Sequence, residues 1–348
     1  MSRRLPYEPA LDGLRGLAVL AVVVFHALPL ALPGGFLGVD IFFVLSGYLI
    51  TNLLLLEHKK TNRIDVRQFY TRRWFRLGPA LLVMLTLYGL TVWLFSPEAT
   101  LKNQGTDILL TLLYLTNWGR ALLLKESTDL GHTWSLAVEE QFYIVWPLLL
   151  WFIMRAVGRN RALVSVIVIL AVASWATRQW LFHDGAVIAR IYNGLDTRVE
   201  SIMWGAVLAA WMNLKTGHLP TRKWTGQLPA LAWISLLGIL LMFAKADWTS
   251  DWYYQYGLTL VAIFSVLMIQ HLHSSENSLM KQVFSHPWLV WLGTVSYGLY
   301  LWHFPIYKLL LSFDIEDWQL LVLGGMMTVP VAAMSYYGLE RPLLKSHK

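Results

Sequence analysis

The chain has 348 residues, of which 56% are hydrophobic and 14% charged, and its formal net charge is +7. A soluble domain carries roughly 25% charged residues, so the charged surface a soluble fold needs is missing. With no cysteine, disulfides, thiolate metal sites and a cysteine acyl-enzyme are excluded, and the redox compartment stays open.

Apolar windows of bilayer length, about 17–25 residues, recur along nearly the whole chain. The first covers 11–30. The preceding Ser2-Arg3-Arg4 invites a signal-peptide reading, but Asp12 and Arg15 open the run and a second window follows almost at once. Arg15 and His26 share a face of this helix: at ~100° per residue, eleven steps return to within ~20°, with a rise of ~16 Å. The second window, 36–56, begins near Asp40, at a depth comparable to His26. A carboxylate there is expected to orient the imidazole for general-base work.

Arg72, Arg73 and Arg76 stand just before the third window, 77–95. Such a cluster serves either as an anchor to anionic lipid or as a phosphate clamp, because arginine forks bind phosphate oxygens. The stretch 107–124 is broken by Asn117, Gly119 and Arg120 and reads as re-entrant or as lying at the surface. In the window 136–154, Ser135 and Glu139 fall on one face at i, i+4. Further windows cover 162–182, 198–212, 228–244 and 253–270. The window 289–311 carries Ser296, Tyr300 and His303 on roughly one face, and the last covers 318–339. His271, His273 and His286 have no carboxylate or cysteine at ligand spacing, so no metal is expected. Intramembrane ionisable groups are costly and mark functional candidates.

Positive charge sets the direction of the chain. With ten spans and both termini cytoplasmic, 20 of the 28 Lys and Arg fall inside, seven outside, and Arg178 within a span. Counting 107–124 as an eleventh span would move Arg155, Arg159 and Arg161 outside. The net positive charge is thus topology, and no nucleic-acid partner is expected. The expectation is an all-α polytopic membrane protein of about ten helices. It is read as a single domain over 1–348, multi-pass in a bacterial cytoplasmic (inner) membrane, with its oligomeric state open.

Six ordered blocks carry a family resemblance. They are Leu11-Asp12-Gly13-Leu14-Arg15-Gly16 with His26; Gly38-Val39-Asp40 through Ser46-Gly47-Tyr48; and Phe69-Tyr70-Thr71-Arg72-Arg73 with Arg76 and Pro79. Then come His132-Thr133-Trp134-Ser135-Leu136 with Glu139, Gln141, Phe142, Tyr143 and Pro147; Ser296-Tyr297-Gly298 through His303-Phe304-Pro305; and Glu340-Arg341-Pro342. Together they resemble membrane acyltransferase family 3, which includes bacterial O-antigen, exopolysaccharide and peptidoglycan O-acetylases. The likeness is thin between 155 and 285, apart from Asp196-Thr197-Arg198.

The resemblance implies acyl-CoA, usually acetyl-CoA, as a co-substrate bound from the cytoplasm, with no permanently bound cofactor. It also implies a saccharide hydroxyl as acceptor at the outer face. Activity in the family is associated with the arginine and histidine of the first span and with the loop arginines. Larger members append a hydrolase-like domain, which is not expected within this chain. On this reading Arg15, Arg72, Arg73 and Arg76 hold the CoA phosphates. His26, oriented by Asp40 or Glu139, takes the acceptor proton. Ser135, Tyr300, His303 and Arg198 are candidates for oxyanion or substrate contacts. The rival reading is a transporter or flippase for a lipid-linked sugar, for which inverted repeats and broken mid-membrane helices would be expected.

Overall fold

A computed structural model describes residues 7–95, 98–124, 129–214 and 228–346. Several cations used in the charge count, Arg3, Arg4, Lys125, Lys215, Arg222, Lys223 and Lys348, lie outside the described residues. Among those described, every regular element is helical. Seven helical stretches are long and apolar enough to cross a membrane: Pro9–Ala27, Gly35–Thr61, Val66–Leu94, Gly131–Val157, Arg161–His183, Tyr253–Ser274 and Asp317–Ser346. Helices suit this setting because each backbone polar group is satisfied within its own segment.

The first helix, α1 (Pro9–Ala27), starts with proline where a missing N–H costs nothing. Next come α2 (Gly38–Thr61) and α3 (Val66–Phe95), then α4 (Glu98–Leu112) and the short α5 (Thr116–Ala121). The stretch read as re-entrant or as lying at the surface therefore forms no single helix. It breaks at Tyr114, whose φ of 54° lies in the left-handed region. After α6 (Trp134–Val157) and α7 (Arg161–His183) come α8 (Ile188–Asn193), α9 (Leu195–Leu214) and α10 (Leu228–Lys245).

The chain continues through a π turn, Tyr253–Gly257, into α11 (Leu258–Ser274), then α12 (Leu279–Phe284), α13 (Pro287–Thr294) and α14 (Ser296–Leu311). It closes with α15 (Asp317–Met334), a second π turn, Ser335–Glu340, and α16 (Arg341–Ser346). Three expected spans take a different form. The window 289–311 splits at Val295 into α13 and α14, whereas 228–244 makes a shorter apolar helix. The helix over 198–212 opens with Asp196, Arg198 and Glu200.

Small residues let the central helices meet backbone to backbone. Gly47 of α2 lies against the Ile202 carbonyl of α9, and Gly205 of α9 lies against the Val44 carbonyl of α2. A side chain at either position would meet backbone that cannot yield. Gly13 of α1 and Gly293 of α13 meet Phe284 and Asp12 in the same way. These contacts fix α1 beside α13 and α14, running in the same direction. Arg15 of α1 shares one end of the bundle with Arg76 of α3, and His26 shares the other with His303 of α14 and His132 before α6.

Candidate active site

Three of the helices that supply the site, α3, α6 and α14, carry an internal proline, and one proline shapes the site directly. Pro305 sits inside α14 and has no N–H to give the Leu301 carbonyl four residues earlier. That oxygen is taken instead by His132, whose Nε2 lies 3.2 Å away. A carbonyl only accepts, so His132 carries its proton on Nε2 and leaves a lone pair on Nδ1. Nδ1 has no partner in the structure, and the residue is 3% exposed. The ring stacks on Phe304 at 5.0 Å and lies 5.5 Å from the ring of His303.

The same logic orders a second pair. His303 Nδ1 faces two backbone carbonyls, Tyr300 O at 2.7 Å and Leu299 O at 3.1 Å, so it is the protonated nitrogen. A neutral His303 then has an accepting Nε2, which meets His26 Nδ1 at 3.0 Å. His26 Nδ1 therefore donates, and the lone pair of His26 falls on Nε2. The backbone of α14 thus sets the tautomer of a side chain on α1.

This arrangement corrects the expected orienting carboxylate. Asp40 is fully buried, but its oxygens are engaged elsewhere. Oδ1 accepts from Arg198 Nη2 at 2.9 Å and from Ser201 Oγ at 3.3 Å, and Oδ2 accepts from Tyr253 OH at 3.4 Å. The π turn at 253–257 delivers that tyrosine. Arg198, 2% exposed, is ringed by Phe43, Trp134 and Tyr192, with Cζ 5.0–5.7 Å from their centroids. Asp40 and Arg198 are therefore a buried ion pair, because neither charge could sit there alone. Glu139 also has other partners: Oε1 accepts from Ser46 and from Tyr143 OH, the latter at 3.3 Å.

Ser135 and Tyr300 do meet, with their hydroxyl oxygens 2.5 Å apart. Tyr300 OH also lies 2.8 Å from the His132 carbonyl, to which it donates. Both hydroxyl hydrogens are occupied in tying α14 to the start of α6, so neither is free for an oxyanion.

Towards the other end of the bundle the polar line continues. Tyr143 OH donates to Ser46 Oγ at 2.8 Å, and the Arg73 guanidinium lies over the Tyr143 ring at 3.6 Å. Arg73 Nε stands 3.9 Å from Glu140. Arg73 and Arg76, at i, i+3, turn inward and share electrostatic reach with Arg15, whose guanidinium lies 3.6 Å from Asp12. Arg72, about 100° round the helix from Arg73, is exposed. Of the four expected phosphate-binding arginines, three gather and one points away.

Several participants lie outside the expected set. His132 belongs to the quoted His-Thr-Trp-Ser block, yet only its meeting with the Pro305-freed carbonyl gives it a place. Glu340, 4% exposed at the end of the second π turn, faces Arg15 and Arg76. Arg120 donates from Nη1 to the Gly131 carbonyl at 2.7 Å, beside the histidines.

Residues 8–337 match the family described as an acyltransferase domain. The chain is 36% identical to the peptidoglycan O-acetyltransferase OatA of Listeria monocytogenes, over 98% of this chain and 56% of the relative. It is 35% identical to the putative peptidoglycan O-acetyltransferase YrhL of Bacillus subtilis, over 97% of this chain and 55% of that protein. A putative O-acetyltransferase of Staphylococcus aureus is 32% identical over 99% of this chain and 58% of its own length. The chain thus spans a little over half the length of these relatives. No solved structure matches it.

Proposed function

Because this chain belongs to the acyltransferase-domain family, we propose that it is a membrane O-acetyltransferase. As a membrane O-acetyltransferase, it takes an acetyl group from cytoplasmic acetyl-CoA and gives it to a hydroxyl of an envelope saccharide, peptidoglycan foremost, at the outer face of the bacterial cytoplasmic membrane. The acceptor class rests on two relatives named as peptidoglycan O-acetyltransferases. The topology that goes with this has ten crossings, with α13 and α14 sharing one, and both termini cytoplasmic. The arginine end then faces the cytoplasm, in keeping with the excess of Lys and Arg on that side.

The observation that carries the proposal is the 3.0 Å contact between His26 Nδ1 and His303 Nε2. It leaves His26 Nε2 as a lone pair with a fixed direction, which is what a general base needs. Arg15, Arg73 and Arg76 bind the CoA phosphates as charge-assisted forks. The pantetheine arm follows the line of Tyr143, Ser46 and Glu139, bringing the thioester carbonyl to His26. As the acceptor oxygen attacks that carbonyl, its proton moves to His26 Nε2. A C–O bond forms, the C–S bond breaks, and the CoA thiolate takes the proton back from His26. Phe304, 5.0 Å from the rings of both His26 and His132, helps exclude water.

The test is direct. Detergent-purified protein incubated with radiolabelled acetyl-CoA and peptidoglycan fragments should yield labelled O-acetyl sugar, sensitive to mild alkali. Labelled acetyl-CoA that neither binds nor turns over would contradict the proposal.

A further inference from the structure

The arginines near the histidine end of the bundle are almost all neutralised by a carboxylate. Arg178 pairs with Glu200, Arg190 forms a two-pronged bond with Asp196, and Arg198 pairs with Asp40. Arg120 is the exception. Its Nη1 is spent on the Gly131 carbonyl, and among the described residues it has no acidic partner. Lys308 shares this condition: its Nζ lies 5.4 Å from the centre of the Phe304 ring, again with no acid.

Both cations act electrostatically on His26, and Arg120 acts on His132 as well. The neutral histidines supply no compensating charge. A partly buried guanidinium without a counter-ion is costly, and a ligand anion removes that cost. One residue from the Gly131 tether, the buried Nδ1 of His132 has a lone pair without a partner, open to a donor from a ligand. A group that brings an anion and an O–H or N–H together answers both.

We propose that Arg120, with Lys308 at the rim, forms an anion subsite for the acceptor. It holds a carboxylate or phosphate of the incoming saccharide so that a hydroxyl of the same molecule reaches His26. This rests on the acetyl-transfer reading above and specifies it: the acceptor is an acidic sugar, or a sugar still joined to a pyrophosphate carrier. Arg120 binds substrate here and takes no part in proton transfer. The tether to Gly131, next to His132, keeps the guanidinium in register with the histidines.

Three acceptors distinguish these sources in the purified full chain with radiolabelled acetyl-CoA: a muramyl disaccharide with a free carboxylate, neutral chitobiose, and chitobiose on a prenyl pyrophosphate. The unaltered protein should have kcat/KM about tenfold or more higher for at least one anionic acceptor than for chitobiose, the worth of one charge-assisted bond. Preference for the muramyl sugar assigns the anion to the saccharide, and preference for the carrier-linked sugar assigns it to the lipid. Arg120→Gln should collapse the preference through KM, and Arg120→Lys should keep part of it.

A second readout needs no variant. KM for the preferred anionic acceptor should rise with ionic strength while that for chitobiose stays level. Equal use of all three acceptors, an unchanged preference in Arg120→Gln, or a salt-independent KM would overturn the subsite alone. Transfer to none of them by the unaltered protein would overturn the acetyl-transfer reading, and this inference with it.

Discussion

Pro305 on α14 and His132 before α6 are linked through one oxygen, the Leu301 carbonyl, which the proline leaves free and His132 Nε2 meets at 3.2 Å. A residue that weakens its own helix thereby fixes the tautomer of a buried imidazole from another part of the chain. Pro305→Ala restores the N–H and lets α14 close its own bond. A proline inside a helix costs about 3 kcal/mol, so the variant should unfold at a higher temperature. It should also lose acetyl-transfer rate, because His132 must then share the Leu301 carbonyl with that N–H and is held less firmly. Thermal unfolding and turnover measured on one preparation check both halves.

His303 has a different job from His26. In the proposed mechanism His26 exchanges the proton, whereas His303, 3.0 Å from its Nδ1, only holds its ring and so acts as a positioning residue. His303→Leu should lower kcat by roughly a hundredfold or more, in the range of general-base contributions. KM for acetyl-CoA should stay nearly constant, because the arginines are untouched. His303→Gln, whose amide oxygen can accept from His26 Nδ1, should recover part of the loss. Steady-state kinetics on the pair would expose a merely structural role if Gln and Leu behaved alike.

The loop arginines separate by direction. Arg73 and Arg76 turn inward towards Arg15, and Arg72 is exposed. Loss of one charge-assisted contact to a phosphate is worth about tenfold or more. Arg73→Ala and Arg76→Ala should therefore raise KM for acetyl-CoA by that factor, and Arg72→Ala should change it less than threefold, about 0.7 kcal/mol at the tenfold-per-1.4 scale. Titration of the donor at saturating acceptor measures all three.

Asp40 and Arg198 are expected to act on stability. Removing one partner strands a buried charge, at a cost of about 3–5 kcal/mol. Arg198→Met should accordingly lower the unfolding temperature, and Asp40→Asn should do so less severely because the amide still accepts from the guanidinium. The double change Asp40→Leu with Arg198→Met should regain much of the loss. Detergent-phase thermal unfolding of the variants, scored as a double-mutant cycle, checks the coupling.

What the sequence revealed and what it hid follow from the range of each interaction. Burial in a membrane is written in composition, and the common face of Arg15 and His26 is a property of one helix. Both were legible. So was the break in 107–124, since Asn117, Gly119 and Arg120 interrupt the apolar run; the structure puts the turn itself at Tyr114. Partners chosen across the bundle were not legible. Asp40 and Arg198 are 158 positions apart, and His26 and His303 are 277 apart. A carboxylate at the depth of a histidine is a natural guess for its orienter, but depth does not say which way a helix turns it. His132 was visible only as part of a motif, because its role comes from a hydrogen bond that a distant proline fails to make. The division of 289–311 at Val295 was hidden for a simpler reason: both halves are apolar.

In the proposed function, the polar line from the arginines to His26 carries an acetyl group from one side of the bilayer to the other. It is tested most directly in sealed vesicles holding the reconstituted chain, with radiolabelled acetyl-CoA on one side and peptidoglycan fragments on the other. Labelled O-acetyl sugar should appear on the far side with the unaltered protein, and none above background with His26→Ala. Undiminished label from His26→Ala, or transfer only when donor and acceptor share a side, would contradict it.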